Sequence, residues 1–328
     1  MSQASVHLSI AGRSDLGHCR KNNEDAMLIA DVAGGRLLRG DAPSARFDVG
    51  ERGVLLVVSD GMGGESAGEV ASAVVVESFA RAMVGAPADM PGDAQIEGAI
   101  QAANRDVLLA AQQDGREGMG ATLTAVFVQA CATGATAFIA EVGDSRAYLL
   151  RSGQITRLTK DQSYVQLLVD RGVLDPKQAE ESPLHNVILQ AMGRQGGIQA
   201  ELGKLELRCR DCLLLCSDGL SNAVGDDELL GVVLASSSLE QACASLVDLA
   251  NGRGGKDNIT VMLAGVGGDL APASVGGTRR EPPVEILASF VPRPQSSRSR
   301  RAVGDGSGAA RPGYLAGAAG DRGSRLPR

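Results

Sequence analysis

Five aspartates stand where short apolar segments begin or end. Asp60 closes the run in VLLVVSDGMGG, Asp218 closes LLLCSDG and Asp144 closes AFIAEVGD. Asp25 opens AMLIA in NNEDAMLIA, and Asp257 opens NITVML in GGKDNITVML. If these segments are strands, antiparallel neighbours set the start of one beside the end of the next. Asp25 and Asp60 would then meet at one sheet edge, and Asp218 and Asp257 at another. A lone Ser-Asp-Gly reads as a turn or a cap, but five acids so placed are hard to obtain as five independent caps. Carboxylates brought close repel one another and resist losing water, so such a cluster needs cations. Oxygen-only donors suit hard ions, Mg2+ or Mn2+. The glycines after Asp60 fit this chemistry. Gly61 can offer its backbone carbonyl, and Gly63 and Gly64 let the chain turn away without crowding an ion.

Two such ions ~3.5–4 Å apart would bring a bridging water to hydroxide near neutral pH, and that hydroxide can attack a phosphorus in line. The phosphate oxygens would then need a cation of their own. Arg20, in GHCRKNNED, lies five residues before Asp25. Its planar guanidinium can grip a phosphate through two hydrogen bonds. Taken without its surroundings it is an ordinary surface arginine.

Positioning these acids requires strands. VHLSIAG, AMLIADV, VLLVVSD, ATLTAVFVQA, ATAFIAEVGD, RAYLLRSGQITRLT, LLLCSDG and NITVMLAGVG are aliphatic or β-branched runs bounded by Gly, Asp, Asn or Ser. RSGQ predicts a hairpin turn at Gly153. Helical spacing lies between the runs: Val76, Phe79 and Met83 within 67–84, and Ile96, Ile100, Ala103 and Val107 within 93–113, where Asp93 is the expected N-cap. SYVQLLVDRG and residues 226–250 add further helices. Strand runs broken by helix pairs predict an α+β layered fold over residues 1–268, two sheets packed together with helices outside. From 269 to 328 the texture turns to Pro, Gly, Ser and Arg. Such a composition cannot bury enough apolar surface to order itself, so a disordered tail is expected.

The 328 residues carry a net charge of −7, unevenly spread. Residues 269–328 hold ten Arg and no Lys against five acids, a net of +5, which leaves −12 on residues 1–268. An acidic body disfavours nucleic acid and suits a protein that gathers cations. With 2% aromatics and no Trp, little is available for stacking on bases. MSQASVHLSIAGRSD lacks the apolar core of a signal peptide, and no run approaches the ~20 residues of a membrane helix. A cytoplasmic protein with reduced thiols, off the membrane, is therefore expected. Cys209, Cys212 and Cys216 invite a zinc reading, but DCLLLCSDG reads as a buried strand, with no His or second Cys pair at zinc spacing.

In order, RKNNEDA, SDGMGG, GMGATLTAV, VGDSRAYLL, LTKDQSYVQLLV, LLLCSDGL and GGKDNITV resemble the motifs of the PPM-type (type 2C) serine/threonine protein phosphatases, most of all their compact bacterial branch. The resemblance covers residues 5 to about 265, and seven motifs in order make it specific. It implies an α+β, four-layer α/β/β/α sandwich, two mostly antiparallel central sheets flanked by helices, with two Mn2+ or Mg2+ ions in a cleft at one end. By the same resemblance, Asp60 bridges both ions. The Gly61 carbonyl and Asp25 serve the second, with Glu24 in its outer shell; Asp218 and Asp257 serve the first. Asp144 with Asp218 would hold a weaker third ion, Arg20 would bind the substrate phosphate, and Asn258 would support Asp257. Substrates would be phosphorylated proteins, with a serine/threonine kinase as the opposing partner and the chain acting as a monomer. Two departures matter. Met62 stands where many eukaryotic members carry a His credited as general acid; bacterial members commonly have Met, which leaves the proton donor unassigned. Gln162 replaces the His often seen in its motif. Residues 161–197 correspond to the family's mobile flap, a candidate determinant of substrate choice.

Other readings leave more unexplained. Residues 54–75 run strand, Gly-rich turn, helix, as in a dinucleotide site, but Ser66 stands at the third glycine position and four acids are left without a role. No Cys is followed by Arg six positions later, which excludes a C-x5-R phosphate loop, and no Ser or Thr follows Lys256 to make a Walker loop. A metal-dependent nuclease would use similar ions but not an acidic body. A phosphoprotein-binding relative without activity would not keep every predicted ligand.

Overall fold

In the computed structural model, which describes residues 5–63, 67–113, 116–132, 134–272 and 284–292, the apolar run at 54–58 is a strand covered on both faces. Leu55 and Val57 pack against helices, while Val54, Leu56 and Val58 face a second sheet. A strand with no exposed face needs no polar alternation, so it reads as a continuous aliphatic block. Residues 213–216 are built the same way: Leu213 and Leu215 enter the space between the sheets, and Leu214 and Cys216 meet the other helical layer.

The strands are β1 (Val6–Asp15), β2 (Asp25–Asp31), β3 (Arg36–Leu38), β4 (Ser44–Asp48), β5 (Val54–Met62), β6 (Gly120–Ala121) and β7 (Leu123–Cys131). They continue with β8 (Gly134–Val142), β9 (Arg146–Arg151), β10 (Gln154–Arg157), β11 (Glu201–Glu206), β12 (Cys212–Cys216), β13 (Ile259–Gly268) and β14 (Glu285–Ala288). One sheet has the order β10-β9-β12-β13-β1-β4; the other is β14-β11-β8-β7-β5-β2-β3, with β6 beside β5. The dinucleotide alternative fails here. It needs β5 to lie in a parallel sheet, whereas both of its long partners, β2 and β7, run antiparallel to it.

Helices α1 (Ala67–Gly85) and α2 (Gly92–Ala110) cover the larger sheet through Val75, Phe79, Met83, Ile96, Ile100 and Val107. Helices α3 (Tyr164–Asp170) and α4 (Pro176–Glu180) lie between β10 and β11. The short α5 (Asp218–Ser221), α6 (Asp226–Ala235) and α7 (Leu239–Gly252) supply Leu220, Leu229, Cys243 and Leu246 against the smaller sheet. The layers are α/β/β/α, as expected. The β9–β10 turn has Ser152 at φ 53° and Gly153 at φ 74°, both left-handed, as a two-residue hairpin requires. Helix α2 differs from expectation. It starts at Gly92 with Pro91 at the N-cap, and Asp93 falls in the first turn, where its charge meets the positive end of the helix.

The segment from 269 onward also differs from the expected uniform tail. Residues 285–288 form β14, paired antiparallel to β11 with a register shift between Leu202 and Gly203. Pro, Gly and Arg dominate the composition of the whole segment and mask the local apolar run VEILASF. Val284 packs on the inter-sheet core and Leu287 on the helix-side core. Gly203 has no side chain where the Val284 methyl sits; a Cβ there would lie 2.6 Å from it. The Arg-rich run after 292 lies outside the described residues. Removing residues 273–328 uncovers the β11 edge and part of both cores, and a loss of ~1–2 kcal/mol is expected from two half-buried aliphatic side chains. Urea unfolding of the truncated and full chains measures it; an unchanged midpoint would show that β14 contributes nothing.

Candidate metal centre

Antiparallel register brings the acids together. Asp25 lies directly opposite Asp60 across β2 and β5. Cys216 pairs with Val261, so Asp218 just beyond β12 and Asp257 just before β13 emerge at the same end. Asp144 sits in the turn that carries the chain from β8 in one sheet to β9 in the other. Arg20, Glu24, Asp60, Gly61, Met62, Asp144, Asp218 and Asp257 line one cleft of about 1020 Å3. Asp25 does not line it. It borders a smaller pocket of about 210 Å3 with Ser14, Arg39, Asp41 and Glu77, while its carboxylate accepts from Ser217 on the other sheet.

Hydroxyls next to the acids hold them in place. The Asp60 N–H donates to the Thr122 hydroxyl (2.9 Å), the Ser59 hydroxyl donates to the Thr122 carbonyl (2.6 Å), and the Thr122 and Ser145 hydroxyls lie 2.8 Å apart. The Ser217 hydroxyl donates to Asp25 Oδ2 (2.7 Å) and accepts from the Thr260 N–H (3.0 Å), which ties the two sheets together behind the cleft. None of these hydroxyls was singled out from the sequence. Their signal was present in SD at 59–60 and 217–218, in DSR at 144–146, and in NIT at 258–260. Gly61 is required by space. Its N–H donates to the Glu24 carbonyl (3.0 Å), and a Cβ would lie 2.1 Å from the Gly68 carbonyl oxygen. Gly63, at φ 140°, turns the chain as expected, while Gly64 lies outside the described residues.

Asn258 supports Asp257 through its backbone rather than its side chain: its N–H donates to Asp257 Oδ1 (2.9 Å). Nδ2 donates to the Leu16 and Asn22 carbonyls (2.9 and 3.0 Å) and Oδ1 accepts from the Glu24 N–H (2.8 Å). The amide thus fastens the loop that carries Arg20. Arg20 donates from one terminal nitrogen to Asp257 Oδ2 at 2.7 Å, so it belongs to the cleft. Asn258→Ala should free that loop and cost about 1–3 kcal/mol, the range for stranding buried partners. Thermal unfolding, with trypsin cleavage after Arg20 as a local readout, checks this.

The acids disturb one another. Burial pushes Asp25 up to about 7, aided by the charges of Asp218 and Asp257 and opposed by the Thr260 and Ser217 hydroxyls. Burial raises Asp144 to about 8, with Asp218 and Asp161 adding to it and Arg146 opposing. Burial and then the charge of Asp25 lift Asp60 well above the carboxylate range. Burial and Asp257 raise Asp218. Asp25 Oδ1 and Asp218 Oδ1 are buried with no hydrogen-bond partner among the described residues. Clustered carboxylates that favour protons, two of them with orphaned oxygens, fit hard divalent cations. Among the described residues no three His, Cys, Asp or Glu side chains are already drawn together around a single metal position.

A pH dependence follows. Asp25 and Asp144 hold protons in the folded, cation-free chain up to about 7 and 8, against 3.8 for a free aspartate. Their protonation therefore favours folding fully below pH 3.8, and the benefit is lost as pH rises through 7 to 8. Chelator-treated protein should unfold at lower urea at pH 8 than at pH 5.5, with Mn2+ reversing the loss. A chelator-treated midpoint that rose with pH would contradict the charge cluster.

The two-sheet sandwich is an architecture shared with solved bacterial serine/threonine phosphatases. The catalytic domain of the serine/threonine phosphatase PstP, in complex with two manganese ions, matches with a TM-score of 0.64 at 35% identity, over 80% of this chain and 99% of that one. The chain belongs to the protein phosphatase 2C family, whose model matches residues 36–263. PstP of Mycobacterium tuberculosis is 37% identical over 271 residues, 81% of this chain but 46% of its own, so the chain spans about half the length of that relative. A putative protein phosphatase 2C-type of Streptococcus pyogenes is 32% identical over 260 residues, 78% of this chain and 96% of its own. No helix among the described residues is long and apolar enough to cross a membrane.

Proposed function

We propose that the chain is a metal-dependent protein phosphatase that hydrolyses phosphoserine and phosphothreonine. The observation that carries this is one cleft shared by Asp60, Asp144, Asp218, Asp257 and Arg20, in a chain of the protein phosphatase 2C family. Asp60, the Gly61 carbonyl, Asp218 and Asp257 would hold two Mn2+ or Mg2+ ions, with Asp25 reaching the second through its unpartnered Oδ1 and Glu24 beside it. Asp144 with Asp218 would hold a weaker third. Bound ions supply charge neutralisation, polarisation of the phosphoryl group and an activated water for in-line attack. The side chains do the rest. Arg20 pairs with Asp257 in this chain; with Asp257 engaged by an ion, the guanidinium would be free to hold the phosphate. Asn258 keeps the Arg20 loop against the acids. Met62 lines the cleft and can neither give nor take a proton, so it is not the donor to the leaving oxygen.

The substrates would be phosphorylated proteins, and phosphoserine in proteins is made by serine/threonine kinases, the natural opposing partners. We place the reaction in the cytoplasm, with the chain acting as a monomer. Hydrolysis of a phosphothreonine peptide with Mn2+, and its loss with chelator, tests the proposal. Asp60→Ala or Asp218→Ala should lower kcat at least ~100-fold while the circular dichroism stays unchanged; full turnover in either variant would remove the acid from its role. Arg20→Ala should act mainly on KM, raising it ~10-fold or more, the scale of a lost charged hydrogen bond. An unchanged KM would take Arg20 out of phosphate binding.

A further inference from the structure

Residues 161–199 leave the smaller sheet after β10, form α3 and α4, and return to β11. The two ends of this flap lie side by side. The Gln162 N–H donates to the Gly143 carbonyl, the Leu189 N–H to the Gln162 carbonyl and the Tyr164 N–H to the Val187 carbonyl, each at 2.7 Å. Beneath this short ladder are two buried amides, Gln162 and Gln190, only 2% and 5% exposed. Gln162 Oε1 accepts from the Gly143 N–H (3.1 Å) and from Gln190 Nε2 (3.0 Å), and Gln162 Nε2 donates to the Glu141 carbonyl (3.2 Å). Gln190 holds Gln199 as a neighbouring strand would: its Oε1 accepts the Gln199 N–H (2.9 Å) and its Nε2 donates to the Gln199 carbonyl (2.6 Å).

We propose that Gln162 and Gln190 are positioning residues for the protein substrate, a neutral amide clasp that sets the flap over the cleft and locks it to the turn bearing Asp144. The inference rests on the phosphatase reading. On one side of the clasp, Asn186 and Ile188, four and two residues before Gln190, line the cleft beside the acids. On the other, Gly143 directly precedes Asp144 and is gripped twice by Gln162, through backbone and side chain. Gly143 has φ 113°, and a Cβ there would lie 2.7 Å from Thr122, so this turn has little room to move. The flap is thereby referenced to the rigid end of the sheet rather than to solvent. The donor count is matched as well. One amide oxygen takes two N–H groups, whereas a neutral imidazole offers a single acceptor, so a histidine at 162 could not serve Gly143 and Gln190 together. Neither amide titrates in water, so the clasp holds at any pH at which the fold does. A bulky peptide must be placed by the flap, while a small aryl phosphate needs only the ions and Arg20.

Gln190→Leu keeps most of the volume and removes all three side-chain bonds; Gln162→His breaks the acceptor match and serves if the first variant fails to fold. For each, kcat and KM are measured with a phosphothreonine peptide and with p-nitrophenyl phosphate. Hydrogen exchange at the Tyr164 and Leu189 amides is followed in chelator-treated protein. The peptide KM should rise about fivefold more than the aryl phosphate KM, the scale of one lost buried hydrogen bond. Both amides should exchange ~10-fold faster while Val126 in β7 keeps its wild-type rate. Equal changes in the two KM values, or wild-type exchange at both amides, would overturn the clasp. Wild-type protein that turns over neither substrate with Mn2+ would instead overturn the phosphatase reading, and the exchange rates would still decide whether the clasp holds the flap.

Discussion

The cleft end of this molecule is organised by repulsion between carboxylates held too close and too dry to be charged together. Asp60, Asp144 and Asp218 are withdrawn from solvent and stand near one another, and each is pushed toward its protonated form. Like charges at low dielectric are costly, and only counter-charges or protons relieve the cost. The fold supplies two kinds of relief within the chain itself. Arg20 swings in from the loop after β1 to Asp257, and hydroxyls from Ser217 and Thr260 donate to Asp25. Neither reaches the orphaned oxygens of Asp25 and Asp218, and a divalent ion answers that remaining demand.

Keeping acids this near together requires the main chain to pack closely around them. Three glycines in this region would each drive a Cβ into a neighbouring backbone. Gly61 would strike the Gly68 carbonyl at 2.1 Å, Gly219 the Asn258 carbonyl at 2.0 Å and Gly17 the Asp257 carbonyl at 2.2 Å. The loops that bear the acids approach one another backbone to backbone at these three glycines. Part of the chain's high glycine content, 43 residues, is accounted for here by close approach rather than by turns.

Much of this could be read from the sequence because the strands are short, bounded and covered on both faces. The acids at their ends follow from antiparallel pairing alone, and Asp25 opposite Asp60 is a direct consequence of it. What escaped depends on side-chain direction, which period and spacing do not carry. Asn258 lies next to Asp257 in sequence, yet its amide points back to the Arg20 loop. Gln162 looked like an isolated replacement until its partner Gln190, far along the chain, was found against it. Strand β14 escaped for a different reason: four residues that add to an existing edge need little hydrophobic content of their own, and a compositional average over sixty residues hides them.

The pairing of β1 with β13 runs the full ten residues, Val6 with Gly268 through Asp15 with Ile259. The earliest strand therefore has its longest partner near the far end of the folded body. A chain emerging from a ribosome must keep β1 waiting until residue 268 is free, with its apolar face uncovered and its sheet unfinished. Contacts of such long sequence separation form late and fold slowly. The loop bearing Arg20 meets Asp257 only when β13 zips in, so a chain that stops before β13 lacks the Arg20–Asp257 contact altogether.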